Sequence, residues 1–113
     1  MSFQIERTDT YTLVKLQSEK LDSTLAPSLK SELVVLSADG VKNIIIDMTA
    51  TRYCDSSGLS AILVANRLCK SSEGVLVLTG LQDSVKKLIS ISQLDTILTI
   101  TNTLPDAIAF FNV

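Results

Sequence analysis

No histidine occurs among the 113 residues. Its absence removes the Ser-His-Asp and Cys-His nucleophile pairs, the histidine-containing zinc sites and the commonest general base. The usual hydrolase routes are closed. Glycine is scarce, with four in all, and no Gly-x-x-x-x-Gly-Lys-Ser/Thr loop is present to cradle a nucleotide phosphate. The two cysteines, Cys54 and Cys69, match no metal or redox spacing and read as reduced thiols. No cofactor and no metal are expected.

Long apolar runs are missing too. None approaches the ~20 residues that a bilayer-spanning helix needs, so direct membrane insertion is not expected. Met1-Ser2-Phe3-Gln4-Ile5-Glu6 has neither a basic start nor a long apolar core, unlike a secretory signal. A cytoplasmic protein is the expectation. Lys and Arg form no stripe, and net charge is −2. The one basic pair, Lys86-Lys87, sits in a segment that reads as a surface helix. Because nucleic-acid binding depends on phosphate neutralisation, that class of partner is disfavoured.

What is present is an ordinary globular mix, 46% apolar and 19% charged, which argues against disorder. The length suits one domain spanning 1–113, large enough to bury a core without disulfide or metal. Phe3 to Arg7 and Tyr11 to Leu16 alternate around Thr8-Asp9-Thr10 and predict a β-hairpin. Leu25, Leu29, Leu33 and Leu36 define one face of a helix, with Ser23 and Thr24 as candidate caps and Pro27 in the first turn. Asp39-Gly40 ends it.

Val41 to Met48 is a strand whose unbroken Ile44 to Ile46 run asks for cover on both faces. A helix follows from about Ser57 to Ser72, then a strand over Val75 to Leu78. Asp83 or Ser84 caps a third helix with Val85, Leu88 and Ile89 inward. Ile97 to Ile100 reads as the fifth strand. Thr103-Leu104-Pro105-Asp106 resembles a capping box before a last helix that buries Ile108 and Phe111. The order β-β-α-β-α-β-α-β-α predicts an α/β domain: one mixed sheet with four principal helices and right-handed parallel crossovers.

Asp55-Ser56-Ser57-Gly58-Leu59 joins the carboxyl end of this central strand region to a helix, at the sheet edge where functional loops gather. Asp-Ser-Ser-Gly is also plain capping chemistry. The helix beyond it is apolar over more of its circumference than one buried stripe requires. Leu59, Ala61, Ile62, Leu63, Val64, Ala65, Leu68 and Cys69 suggest a face shared between core and partner.

With these residues in hand, the chain resembles the STAS domains, and among them the bacterial anti-anti-sigma factors (anti-sigma factor antagonists) of partner-switching systems. Their signature is Asp-Ser-Ser-Gly-Leu opening the helix after a central strand. Leu21-Asp22, Val41 to Met48, Gly74 to Leu78, Ser84-Val85-Lys86-Lys87-Leu88 and Leu94-Asp95-Thr96-Ile97 resemble further family segments, so the likeness spans essentially the whole chain.

The resemblance implies that Ser57, the serine before the glycine, is phosphorylated by an anti-sigma factor with serine kinase activity. Unphosphorylated protein would bind that kinase and free the sigma factor, and a phosphatase would reset Ser57. Asp22 and Asp55 match acidic positions that frame the serine. The implied partner-binding set is Asp22, Asp55, Ser56, Ser57, Gly58, Leu59 and Ile62. Two residues depart from the pattern: Lys20 stands where many members carry an acidic residue or glycine, and Gln93 where a glycine often lies.

Two other readings compete. One is a structural STAS module of a transport or stress-signalling assembly, docking without phosphorylation. The other is an enzyme with Ser57 as nucleophile and Asp55 as helper. A carboxylate with an ordinary pKa near ~4 is a poor base for an alcohol, so no enzyme is expected.

Overall fold

The computed structural model describes residues 2–111. The alternating N-terminal segments form strands β1 (Phe3–Arg7) and β2 (Thr12–Leu16), antiparallel, with Phe3 opposite Leu16 and Arg7 opposite Thr12. Thr8 ties the turn, its N–H and its hydroxyl both donating to the Tyr11 carbonyl. A two-residue strand, β3 (Lys20–Leu21), leads toward helix α1 (Ala26–Ala38).

The central strand is β4 (Ile44–Asp47), all of it buried, followed by the short β5 (Tyr53–Cys54) and helix α2 (Ser56–Ser71). Strand β6 (Leu76–Thr79), helix α3 (Asp83–Ile91), strand β7 (Thr99–Thr101) and helix α4 (Leu104–Phe111) complete the order.

The main sheet runs β1-β2-β4-β6-β7, antiparallel only between β1 and β2 and parallel thereafter. Its two faces explain the uninterrupted isoleucines. Ile44 and Ile46 point into the larger core, with Leu29, Leu33, Leu36, Ile62, Leu78, Val85 and Ile89 from the flanking elements. Ile45 points the other way, into a smaller cluster with Leu13, Val77 and Ala107. The expected mixed sheet and four helices are present.

Local details differ from expectation at four places. Neither Ser23 nor Thr24 caps α1. Leu25 occupies the cap position without a side-chain bond, and Asp22 does the work instead. The Asp22 carbonyl accepts from the Leu25 and Ala26 N–H groups at 3.1 and 2.8 Å, and its Oδ1 accepts from the Thr24 N–H at 3.0 Å. Helix α3 also starts one residue earlier, after Gln82, whose extended backbone (φ −70°, ψ 158°) takes the cap position without a side-chain bond, and the Ser84 hydroxyl donates to the Arg52 carbonyl.

The fifth strand of the main sheet starts two residues later and ends one residue later than the Ile97 to Ile100 run predicts. Gln93 adopts a left-handed backbone (φ 61°), and Leu94–Thr96 then makes a 3₁₀ turn that leaves Ile97 exposed. In α4, Thr103 does accept from the Asp106 N–H, at 3.3 Å. Ile108 and Phe111, however, are half-buried and only Ala107 is fully covered, because α4 is the one helix contributing to the smaller cluster among the described residues.

Candidate functional site

The site is built on a feature that hydrophobic periodicity does not announce. β3 and β5 pair in parallel, Lys20 beside Tyr53 and Leu21 beside Cys54. Alternation sends Leu21 and Cys54 into the core and leaves Lys20 and Tyr53 at the surface. Asp22 and Asp55 are the next residues on these two strands. The ladder thus sets two half-buried acidic residues that are far apart in sequence on neighbouring stretches of backbone.

Asp55 is the N-cap of α2. Its backbone is extended (φ −111°, ψ −169°), and its Oδ1 accepts from the Gly58 N–H at 3.0 Å. Its own N–H donates to the Leu21 carbonyl at 3.3 Å, and its carbonyl accepts from Leu59 N–H at 2.9 Å. Gly58 is required for space. A Cβ there would overlap the Leu21 carbonyl oxygen and lie 2.7 Å from Cys54 Sγ. The close backbone approach expected of Gly58 is made by Leu21.

Ser56 and Ser57 occupy the first turn of α2, Ser56 exposed and Ser57 half-buried. Among the described residues the Ser57 hydroxyl has no hydrogen-bond partner, and Asp55 does not bond it. Asp55 is therefore placed as a cap and not as a base for Ser57. Leu59 is half-buried and packs on the core.

One expectation for α2 needs correction. Ile62 is 0% exposed and belongs to the core, so its side chain presents no partner-binding surface. The broad apolar circumference of α2 is taken up in part within the chain: Ala61, Ile62, Ala65 and Cys69 are buried and Leu59 and Leu68 pack on the core, while Leu63 and Val64 stay half-buried outside both clusters. α1 packs along α2, and no large apolar side chain of α2 is among the exposed ones. Sequence reasoning missed Tyr53, 51% exposed beside the turn. An aromatic residue in a polar loop between a strand and a cap was the available signal.

Burial pushes the Cys54 thiol up to about 12, reinforced by the Asp55 carboxylate. Burial also raises Cys69 to about 11, partly offset by a backbone hydrogen bond at Ile44. Both are free thiols, protonated near neutrality. Among the described residues no group of three or more His, Cys, Asp or Glu side chains could hold a metal, and no helix is long and apolar enough to cross a membrane.

The geometry defines a small α/β domain that holds one helix N-terminus, with its two serines, rigidly at the surface. Residues 2–107 match the STAS domain family. The anti-sigma-B factor antagonist of Listeria monocytogenes serovar 1/2a is 30% identical over 102 residues, which are 90% of this chain and 90% of that protein. An anti-sigma factor antagonist from Mycobacterium paratuberculosis superposes with a TM-score of 0.86 at 22% identity, covering 98% of this chain and 93% of the other. The Bacillus cell fate determinant SpoIIAA in its phosphorylated form gives a TM-score of 0.75 at 23% identity, over 95% and 96% of the two chains. The chain belongs to the STAS domain family.

Proposed function

We propose that this protein is an anti-sigma factor antagonist controlled by phosphorylation of Ser57. Unphosphorylated, it binds an anti-sigma factor with serine kinase activity and releases the sigma factor. Phosphorylated, it lets go, and a phosphatase returns it to the binding form. The chain itself performs no catalysis and works in the cytoplasm.

The observation that carries this reading is the state of Ser57. Its hydroxyl is accessible and uncommitted, on a turn that three neighbouring residues hold in place. The similarity to a Listeria anti-sigma-B factor antagonist supports the role, and the shared fold with phosphorylated SpoIIAA supports the capacity of such a domain to carry phosphate. A phosphoserine adds about −1.5 to −2 charges in the first turn of a helix, where negative charge is favourable. The fold tolerates the modification. An interface closing over Ser57 must instead desolvate the charge, which costs about 2–5 kcal/mol when no cation is provided.

Titration of wild-type, Ser57→Ala and Ser57→Asp protein against the cognate kinase tests the proposal, with circular dichroism as folding control and intact mass to detect phosphate. The Ala form is expected to bind persistently and resist phosphorylation. The Asp form is expected to bind roughly 30-fold to several-thousand-fold more weakly. Equal affinities of folded Ala and Asp forms would reject the switch and leave a docking module.

A further inference from the structure

We infer that the exposed face of the β3–β5 ladder, carrying Lys20, Tyr53 and the adjacent Arg52, is the selectivity rim of the partner interface. This rests on the function proposed above. The partner it fits is an anti-sigma factor that presents an acidic group to Lys20 and Arg52, with an apolar pocket for Tyr53 beside it.

The charges around the turn are left open. Asp22 and Asp55 each commit Oδ1 to a backbone N–H and neither faces a cation within ion-pair distance. Lys20 and Arg52 are exposed and also unpaired. Among the described residues the one ion pair joins Arg7 to Asp39, elsewhere on the molecule. Two cations, Lys20 and Arg52, and three acidic residues, Glu19, Asp22 and Asp55, therefore lie on or beside one ladder without forming an ion pair, a pattern that a complementary surface reads as a fixed orientation.

Tyr53 sits in this pattern, directly beside Lys20 in register. It is one of few large side chains with apolar surface left exposed, and its backbone is tied by hydrogen bonds. The Tyr53 N–H donates to the Glu19 carbonyl at 3.0 Å, Arg52 N–H to the same oxygen at 2.8 Å, and the Arg52 carbonyl is held by Ser84. A half-exposed tyrosine on a hydrogen-bonded backbone beside charged groups suits an interface anchor, because an aromatic ring with two side-chain torsions offers contact area with little ordering cost. Ser57 decides whether the partner binds, and the rim decides which partner.

The test takes the anti-sigma factor that the Ser57→Ala chain retains from its own cells, purifies it, and measures association and dissociation rates at low and high salt. Wild-type, Ser57→Asp, Lys20→Glu, Lys20→Gln and Tyr53→Ala chains are compared, each checked for folding. Lys20→Glu is expected to slow association about tenfold at low salt, with the difference closing at high salt and Lys20→Gln intermediate. Tyr53→Ala is expected to speed dissociation roughly 30-fold. Wild-type rates for the folded Lys20 and Tyr53 variants, with binding lost in Ser57→Asp, overturn the rim and leave the switch standing. Impaired rim variants beside an unimpaired Ser57→Asp support the rim and remove the switch. A Ser57→Ala chain that retains no anti-sigma factor overturns both.

Discussion

Gly58 lies against Leu21 so closely that a Cβ on the glycine would overlap the Leu21 carbonyl oxygen. That oxygen already accepts the Asp55 N–H. The first turn of α2 and the strand before α1 are thus fitted main chain to main chain, with no flexible side chain between them to yield.

Gly58→Ala is expected to destabilise the fold by about 1–3 kcal/mol, since the methyl group must displace backbone or distort the cap. Ser57→Ala, one residue away on an open side chain, is expected to stay within about 0.5 kcal/mol of wild type. Urea denaturation of the two variants measures the contrast. Equal stabilities would mean that the turn has slack.

Removing the cap has its own cost. Asp55→Ala loses the acceptor for the Gly58 N–H and is expected to cost about 1 kcal/mol, with Asp55→Ser recovering most of it. Denaturation midpoints of the pair check this, and a Ser variant no better than Ala would count against capping as the role of Asp55.

The raised thiols make a pH prediction. Cys54 and Cys69 ionise near 9 when unfolded but only at about 12 and about 11 in the fold. The folded state then holds protons that the unfolded state gives up. This contribution is complete below pH 9 and is lost as pH climbs toward the folded values. Stability should fall from pH 9 upward, and less steeply in a Cys54→Ala, Cys69→Ala double variant. At pH 8 the native thiols should react with a disulfide reagent far more slowly than the denatured ones. Rapid labelling of native protein would contradict the burial.

Thr79 carries a buried flaw. It is 0% exposed, lies between Asp47 and Thr101 in the sheet register, and its Oγ1 has no hydrogen-bond partner. An unmade bond of this kind costs about 1–3 kcal/mol. Thr79→Val, which keeps the branched shape, is expected to raise stability by about 1–2 kcal/mol in denaturant titrations. A loss of stability would show that the hydroxyl is satisfied after all.

The sheet and its helices were legible because periodicity reports burial. The Leu29, Leu33, Leu36 spacing and the Ile44 to Ile46 run each correspond to faces that the structure covers. Periodicity failed where backbone hydrogen bonds decide. Asp22, not Ser23 or Thr24, organises the start of α1 through its carbonyl, an atom every residue has. Ile97 was misplaced because the turn before it depends on a non-glycine residue, Gln93, at positive φ, which sequence alone disfavours. The glycine pattern noted at that position fits the same backbone. At the site, Asp55 to Gly58 was readable as a cap. The burial of Ile62 and the exposure of Tyr53 were not, because both depend on how α1 and β3 pack around the turn.

The β3–β5 pairing also constrains how the gene can change. Only two residues on each strand set the alignment, and adjacent positions have opposite surroundings. Inserting or deleting one residue in 17–19 or 49–52 would slide one strand by a single step, driving Lys20 or Tyr53 inward and Leu21 or Cys54 out to water. It would also part Asp22 from Asp55. Those two connections should therefore keep their lengths.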